Sequence, residues 1–299
     1  MTLAQTARKI GETVLGRDPG LLTVTESLSS QVFVGAHVVV KLADHARLDR
    51  EIALAANLPA GLTPPLLGSG TELYDGREFR YACYQRAPGV APGAGLPGVD
   101  AETARLLTAQ ALRRLDLLHG WTPAKEADQV LRQPLDHGGF TGRTDLVDLV
   151  ERLASVDRDD VVRRPLLDGL RRIAAGAPIG TSTDVPVHAD CFWDNWLVDG
   201  GEITALLDFE WARYGEPVDD YFFLIALSGE HDLTVLDVVA LETGIPSDDL
   251  RAACEARSAS YLASDVLLAL TRSDVRPGLL ADRLAALDDV VAGHWWQPS

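Results

Sequence analysis

The sequence has 299 residues, 46% of them hydrophobic, which excludes a disordered or fibrous protein and is enough for two lobes or one large domain. It carries 27 Lys plus Arg against 44 Asp plus Glu, a formal net charge of -17. This balance argues against a nucleic-acid partner, because phosphate backbones are bound mainly by Lys and Arg, and it suits a cationic partner.

Three widely spaced cysteines, Cys83, Cys191 and Cys254, form neither a disulfide framework nor a paired zinc motif. The N-terminal segment places Arg8 and Lys9 among its apolar residues, unlike a signal peptide, and no apolar run is long enough to span a membrane. We therefore expect a cytoplasmic protein with no membrane partner. The sequence leaves open whether it is a monomer or a homodimer.

The first 86 residues predict a small, mainly β lobe. Alternating Val, Thr and Phe residues favour strands, and helical spacing of apolar residues marks two helices. The predicted elements are a helix over residues 5–16, two or three strands from Leu21, a helix over His45–Leu58, and strands over Leu66–Leu73 and Arg77–Gln85. The last two strands are joined at Asp75-Gly76, a typical hairpin turn.

A Pro/Gly-rich segment, Ala87–Gly98, is the predicted hinge, and the chain after it is mostly helical. Helices are predicted over 106–118, 146–156, 163–175, 232–242, 248–271 and 277–292. Val185–Trp211 is the exception, since its pattern indicates strands and loops, and irregular backbone with polar residues often carries function. We predict an α+β, two-lobed fold, with a nucleotide-covering lobe over residues 1–86 and a larger helical lobe over 87–299.

Three polar residues in the segment Val185–Trp211 have a spacing that suits phosphoryl transfer. Asp190 opens a loop, Asn195 follows it, and Asp208 ends an apolar stretch. A hairpin with its turn at Gly200-Gly201 would bring Asp208 beside Asn195. Phosphoryl transfer needs one carboxylate that accepts a hydroxyl proton, and an amide and a second carboxylate that hold magnesium.

These motifs resemble the aminoglycoside phosphotransferase family, within the protein-kinase-like superfold. The resemblance is carried by H-A-D-x-x-x-x-N, L-L-D-F-E and G-E-P-V-D-D, and it covers about Thr23 to Leu227. It implies that Asp190 is the catalytic base and that Asn195 and Asp208 bind Mg²⁺. It also implies ATP as the phosphoryl donor, with GTP as the alternative.

Residues upstream fit the same order. Lys41 ends the apolar strand VVVKL, where the family has the lysine that contacts the nucleotide phosphates. Glu51 lies beside the apolar stripe of the next helix and is the expected ion-pair partner of Lys41, whereas Asp49 points elsewhere. The resemblance also implies nucleotide contacts from the phosphate loop and the hinge. These residues are Ser27, Ser29, Ser30, Gln85 and Ala87.

Three positions depart from the family pattern. The phosphate loop, Glu26–Gln31, has no glycine, and its serines would offer hydroxyl and amide groups instead. Ala189 stands where the family usually has glycine, and Glu210 where many members have Gly or Asp. These departures concern the conformation of the loop and the identity of the acceptor.

The resemblance and the negative charge together predict a cationic small-molecule acceptor. It would be a hydroxyl of an aminoglycoside, or of a tuberactinomycin peptide such as capreomycin or viomycin, with antibiotic resistance as the result. Asp194, Glu210 and Trp193, close to the metal ligands in sequence, are the expected acceptor contacts. The alternatives are a small-metabolite kinase of the choline, homoserine or methylthioribose type, a macrolide phosphotransferase, and a non-catalytic nucleotide-binding module.

Overall fold

The computed structural model describes residues 2–25, 30–43, 47–135, 139–157, 160–272, 278–293 and 296. The strands are β1 (Thr23–Thr25), β2 (Gln31–Val34), β3 (Val38–Ala43), β4 (Leu66–Tyr74), β5 (Arg77–Gln85), β6 (Val185–Val187), β7 (Trp196–Asp199), β8 (Glu202–Leu206) and β9 (Arg213–Gly215). The helices are α1 (Leu3–Leu15), α2 (Arg47–Ala55), α3 (Ala101–His119), α4 (Lys125–Leu131), α5 (Arg143–Val156), α6 (Arg164–Gly176), α7 (Pro217–Ala226), α8 (Asp232–Thr243), α9 (Ser247–Thr271) and α10 (Leu279–Ala292).

The chain packs as two units, and each is built from several stretches of sequence. The first unit comprises Met1–Pro92, Arg113–Gln133 and His188–Arg213, and the second comprises Gly93–Leu112, Pro134–Val187 and Tyr214–Ser299. Helix α3 contributes to both units. The predicted lobe boundary between residues 86 and 87 is a different division of the chain, and it stays a prediction.

A five-stranded antiparallel sheet in the order β1-β2-β3-β5-β4 forms the centre of the first unit. The β4–β5 hairpin turns at Asp75-Gly76, where both residues have positive φ, as a two-residue turn that follows the twist of its strands requires. Its strands agree closely with the sequence prediction, because the turn residues and the flanking β-formers both favour this hairpin.

The sheet carries one helix on each face. Helix α1 begins at a capping box formed by Thr2 and Gln5, and its apolar face packs against the cluster that contains Val38 and Val40. Helix α2 packs on the other face, against the cluster that contains Tyr84. Neighbouring residues of a strand point to opposite sides of the sheet, and Val38 and Val40 of β3 point towards α1. Lys41 therefore lies on the same face as α2.

The second unit has a helical core. Apolar residues of α5, α6, α9 and α10 form one buried cluster, which includes Val150, Leu170 and Val266. Helix α7 begins after Glu216, whose carboxylate caps the helix together with Asp219, and Pro217 stands at the first turn, where proline is tolerated. The observed bounds of α5, α6, α8, α9 and α10 lie close to the predicted ones.

Two of the helices in the described ranges were not predicted. Helix α4 is short, and its residues are mostly polar, so it has a weak apolar period. Helix α7 is buried along Asp219–Ile225, and a helix that is buried on every side lacks the exposed polar face that gives a period of 3.6 residues. The sequence marked the motif at its start but not the helix itself.

All three cysteines are free and buried, which agrees with the absence of a disulfide framework in the sequence. Burial raises the pKa of the Cys83 and Cys254 thiols to about 12. Neither thiol is therefore a nucleophile at neutral pH. Among the described residues, no helix combines the length and the apolar character needed to cross a bilayer.

Candidate active site

Lys41 is the centre of a charged cluster in the first unit. Its Nζ lies 3.0 Å from Glu51 Oε1, 2.9 Å from Glu51 Oε2 and 3.2 Å from Asp208 Oδ1. The side chains of Lys41 and Glu51 are 13% and 7% exposed, whereas that of Asp208 is 24% exposed. The structure thus brings together three of the predicted site residues, and it pairs Lys41 with Glu51 rather than with Asp49, which bonds to Arg80 instead.

The apolar packing of α2 explains this geometry. Leu48 and Ile52 are buried against the sheet in the cluster that contains Ala82. Glu51 lies between them on the helix, so the packing that holds α2 against the sheet also holds the Glu51 carboxylate over β3. Ala82 pairs directly with Lys41 across the sheet, and its small side chain leaves the lysine room to extend.

The pKa of Lys41 is the result of opposing effects. Burial alone would lower it, but the negative charges of Glu51 and Asp208 outweigh burial and raise the pKa above its usual range. The ammonium group therefore keeps its charge at neutral pH. It is a fixed cation inside a partly dry environment, where its interaction with an anion is stronger than in water.

The loop that contains Asp190 is held by a short network. Asn195 Nδ2 donates to the Asp190 carbonyl at 2.7 Å and lies 3.4 Å from Asp190 Oδ2. Trp196 Nε1 donates to the Cys191 carbonyl at 2.8 Å, and the Trp196 ring is fully buried. Ala189 has a φ of 60°, a left-handed conformation that glycine adopts without strain, which gives a physical reason for glycine at this place in the family motif.

The β7–β8 hairpin returns the chain to this loop. It turns at Gly200-Gly201, and the Leu207 amide donates to the Asn195 carbonyl at 2.8 Å. His188 Nε2 lies 2.8 Å from the Leu207 carbonyl, so Leu207, directly after β8, contacts both ends of the loop. Asp208 follows directly in a left-handed conformation, with φ 66°.

The residues predicted to contact the nucleotide are distributed differently. Ser27 and Ser29 lie outside the described residues. The Ser30 hydroxyl is buried and has no hydrogen-bond partner among the residues that are described. Gln85 is the last residue of β5 and its side chain is exposed. Its backbone N–H donates to the Pro65 carbonyl at 2.9 Å. Ala87 follows two residues later and is half-buried.

The three residues predicted to contact the acceptor differ in exposure. Asp194 is exposed in the short turn Trp193–Asn195. Trp193 is fully buried and Glu210 is 6% exposed. The roles of these three residues as acceptor contacts stay predictions. Position in the sequence alone could not reveal which way these side chains point.

Two arginines that are buried in the described part of the chain were not predicted as site residues. Arg50, next to Glu51 on α2, donates from Nε and Nη2 to the Ala212 carbonyl, which follows Asp208 closely in the chain. Arg257 on α9 donates to Asp219 at 2.7 Å and to Glu216 at 2.8 Å, within the second unit. The available signal for Arg50 was its place beside Glu51, whereas no local pattern marks Arg257.

A cavity of about 560 Å³ lies in the second unit, between α7, α9 and α10. Its walls include the stacked rings of Phe222 and Tyr261, with centroids 5.7 Å apart, and the Asp265–Arg283 ion pair. None of the residues predicted as a site borders it.

The first unit with its sheet, the helical second unit and the Lys41–Glu51–Asp208 cluster are features of the class of kinase-like proteins. The model of the phosphotransferase enzyme family matches residues 23–255, more than half of the chain. The chain belongs to this family, which includes the aminoglycoside phosphotransferases, so the resemblance seen in the sequence is confirmed. It is thus a phosphotransferase with a hydroxyl group as acceptor. A comparison with curated proteins gave no match.

Solved structures agree with the fold. The GDP complex of aminoglycoside 2'-phosphotransferase-IIIa has a TM-score of 0.73 at 17% identity, over 98% of this chain and 100% of that chain. A thermostable mutant of aminoglycoside phosphotransferase APH(4)-Ia with ADP and hygromycin B has a TM-score of 0.65 at 18% identity, over 96% and 98%. ADP-bound APH(2'')-Ib has a TM-score of 0.63 at 14% identity, over 96% and 98%. The two-lobed α+β fold is confirmed.

Proposed function

We propose that this chain transfers the γ-phosphoryl group of ATP to a hydroxyl of a cationic antibiotic. One observation carries the proposal: the Lys41–Glu51–Asp208 cluster and the Asp190–Asn195 loop lie in the same unit. They are connected by Leu207, which precedes Asp208 and bonds to Asn195. Family membership supports the reaction type. Similar structures were solved with GDP or ADP, which supports a nucleotide donor, with GTP as the alternative to ATP.

Asp190 is the proposed base. Its carboxylate would orient the acceptor hydroxyl and take its proton as the acceptor oxygen bonds to the γ-phosphorus. The bond between the γ-phosphorus and its bridging oxygen breaks, and ADP leaves. Asn195 supports this role because its amide fixes the Asp190 backbone and reaches its carboxylate. Such positioning lowers the entropic cost of bringing the reactants together.

Lys41 and the metal ligands would hold the nucleotide. Lys41, charged and fixed by Glu51, would bind phosphate oxygens. Asp208 and the Asn195 side-chain oxygen are hard donors that fit Mg²⁺, since the Asn195 nitrogen already bonds to Asp190. Bound Mg²⁺ would neutralise the charge that develops on the phosphates. No group of three or more His, Cys, Asp or Glu side chains in the described ranges could hold a metal, so phosphate and water oxygens would complete the coordination.

The rest of the nucleotide site follows from the same elements. We propose that the backbone N–H of Ala87, in the hinge, donates to the base of the nucleotide. The backbone N–H of Gln85 already donates to the Pro65 carbonyl. The buried Ser30 hydroxyl, at the end of the phosphate loop, is a further proposed phosphate contact. Ser27 and Ser29 stay predictions.

The acceptor is proposed to be cationic, of the aminoglycoside or tuberactinomycin type. The net charge of -17 supports this class, and exposed Asp194, next to Asn195, offers one carboxylate close to the proposed metal ligands in sequence. Attraction between exposed charges is screened within about 8 Å at physiological salt. The acceptor KM should therefore rise with ionic strength if the acceptor is polycationic.

The direct test incubates the purified chain with Mg-ATP and a panel of hydroxylated compounds, with phosphorylation followed by mass spectrometry. The panel holds aminoglycosides, capreomycin, viomycin, a macrolide, choline, homoserine and methylthioribose. We expect phosphorylation of a polycation, with a KM that increases with salt. Asp190→Asn should lower kcat on the order of 10²-fold or more while nucleotide still binds. Asp199→Asn, at the exposed end of β7, is the matched control and should keep normal turnover.

Each alternative gives a distinct result in the same assay. Phosphorylation confined to an uncharged macrolide, or to a small metabolite, would contradict the proposed acceptor class. Nucleotide binding without turnover of any compound would favour a non-catalytic module. Normal turnover in Asp190→Asn would contradict the role of Asp190 as the base.

A further inference from the structure

Arg50 is a buried cation whose partner is a neutral group. Its side chain lies on α2 and the residue is 7% exposed. Nε and Nη2 donate to the same carbonyl oxygen, that of Ala212, at 3.0 and 2.5 Å. Among the described residues, Arg50 makes no ion pair with a carboxylate.

This arrangement is a poor way to stabilise a helix. Burial, with a smaller contribution from the positive charge of Arg213, lowers the pKa of Arg50 to about 10. Removing a charge from water without an opposite charge is costly, and an apolar side chain of similar volume at the same place would avoid that cost. The contact with Ala212 therefore calls for an explanation beyond the stability of α2.

The position of Ala212 gives that explanation. The chain from Asp208 to Ala212 is one tight turn over Phe209–Trp211, with the Ala212 amide donating to the Phe209 carbonyl at 3.2 Å. Phe209 is buried, with its ring 4.5 Å from that of His188. This turn is thus short and packed, so holding Ala212 also constrains Asp208.

Two consecutive residues of α2 therefore reach the same segment from two directions. Glu51 reaches Asp208 through Lys41, and Arg50 reaches Ala212 directly. The contacts close a ring that passes from Asp208 through Lys41 and α2 to Ala212 and back along the turn. In a closed ring, movement of α2 away from the sheet must also displace the turn after Asp208.

We infer that Arg50 is a positioning residue, which clamps α2 to the turn after Asp208 and so keeps Lys41, Glu51 and Asp208 in one arrangement. The inference rests on the proposed function, because it concerns the residues that we assign to the phosphates and the metal. In this role Arg50 acts through its contact with Ala212 and not on a reactant. Its loss should disturb the alignment of the phosphoryl group rather than the binding of the acceptor.

The test compares Arg50→Met, which keeps length and removes charge, with Arg50→Lys, which keeps one charged donor. Arg80→Met is the control, because Arg80 also contacts α2 through Asp49, but at the exposed surface. Hydrogen exchange of the free chain gives a readout that does not depend on activity. Steady-state kinetics give kcat, the KM values and the Mg²⁺ concentration for half-maximal rate.

We expect Arg50→Met to speed exchange in α2 and in residues 209–212, and to lower kcat on the order of 10- to 100-fold, as a small misplacement of reacting groups does. The Mg²⁺ requirement should rise and the acceptor KM should stay unchanged. Arg50→Lys should be intermediate, and Arg80→Met should match the wild type. If Arg50→Met does not fold, the intermediate behaviour of Arg50→Lys carries the same comparison.

Wild-type exchange and kcat in Arg50→Met, or in Arg50→Lys where Arg50→Met does not fold, would overturn the inference. So would an equal effect of Arg80→Met, or a lower unfolding temperature with an unchanged kcat. Failure of the proposed function is distinguishable, since the wild-type chain would then phosphorylate nothing while the exchange comparison still reports on the clamp.

Discussion

Lys41 illustrates how far single residues can be predicted from this sequence. The family resemblance implied the role of Lys41, and the helical period of 3.6 residues selected Glu51 rather than Asp49 as its partner, which the structure confirms. The contact of Lys41 with Asp208 joins residues far apart in sequence. It could be anticipated from the resemblance but not from any local pattern.

Two substitutions of Lys41 distinguish the effect of its positive charge on kcat from the effect of its shape. We expect Lys41→Ala to lower kcat on the order of 10²-fold, because a preorganised cation near the phosphates is lost. Lys41→Arg should rescue only part of it, since a planar guanidinium does not reproduce a compact ammonium. Lys9→Ala, which breaks the exposed pair with Glu72, is the control. Steady-state kinetics with Mg-ATP measure the effect, and a normal rate in Lys41→Ala would remove the assignment.

The pH profile gives an independent check on the same residue. The carboxylates around Lys41 raise its pKa above the usual 10.5, so the protonated form persists to higher pH than in a free lysine. The wild-type rate should therefore show no fall due to Lys41 as the pH rises to that value. A fall in rate at a pH below 10.5 that is present in the wild type and absent in Lys41→Arg would contradict the raised pKa of Lys41.

At the scale of elements, prediction succeeded where local rules agree with packing. The β4–β5 hairpin has a turn sequence, strand formers and alternating exposure that all point to one structure. Helix α7 has no such agreement, because its burial on all sides erases the apolar period. Its start is instead fixed by contacts from distant residues, above all Arg257, and no reading of adjacent residues reveals them.

Arg257 is a buried link between α9 and the start of α7. It is 1% exposed and binds both Glu216 and Asp219, with its guanidinium 5.3 Å from the Phe140 ring centroid. Arg257→Met would leave the nearly buried Asp219 carboxylate without its cation. Breaking one side of a buried pair costs about 3 kcal/mol or more.

We therefore expect a clear loss of stability for Arg257→Met in urea unfolding. Arg171→Met, which removes an exposed arginine paired with Glu151, should change the midpoint little, since exposed pairs contribute little. Equal midpoints for the two variants would show that the Arg257 network is not a structural anchor of α7.

At the scale of the whole molecule, the chain crosses between its two units several times. The segment with Asp190, Asn195 and Asp208 belongs to the same unit as the sheet, although it lies more than a hundred residues further along the chain. Composition and local pattern could place a boundary at the Pro/Gly-rich hinge, but they could not assign this later segment to the unit that contains Lys41. That assignment depends on long-range contacts such as the one between Arg50 and Ala212.

The buried thiols turn this division into something that can be observed by chemical labelling. Cys83 and Cys191 belong to the first unit and Cys254 to the second, so an alkylating reagent can modify each only when its own unit opens. A nucleotide that binds the first unit favours states in which that unit is closed. In mild urea, we expect added Mg-nucleotide to slow modification of Cys83 and Cys191, quantified by peptide mass spectrometry, while Cys254 reacts at an unchanged rate. Equal slowing of all three would mean that the units open together, as one cooperative body.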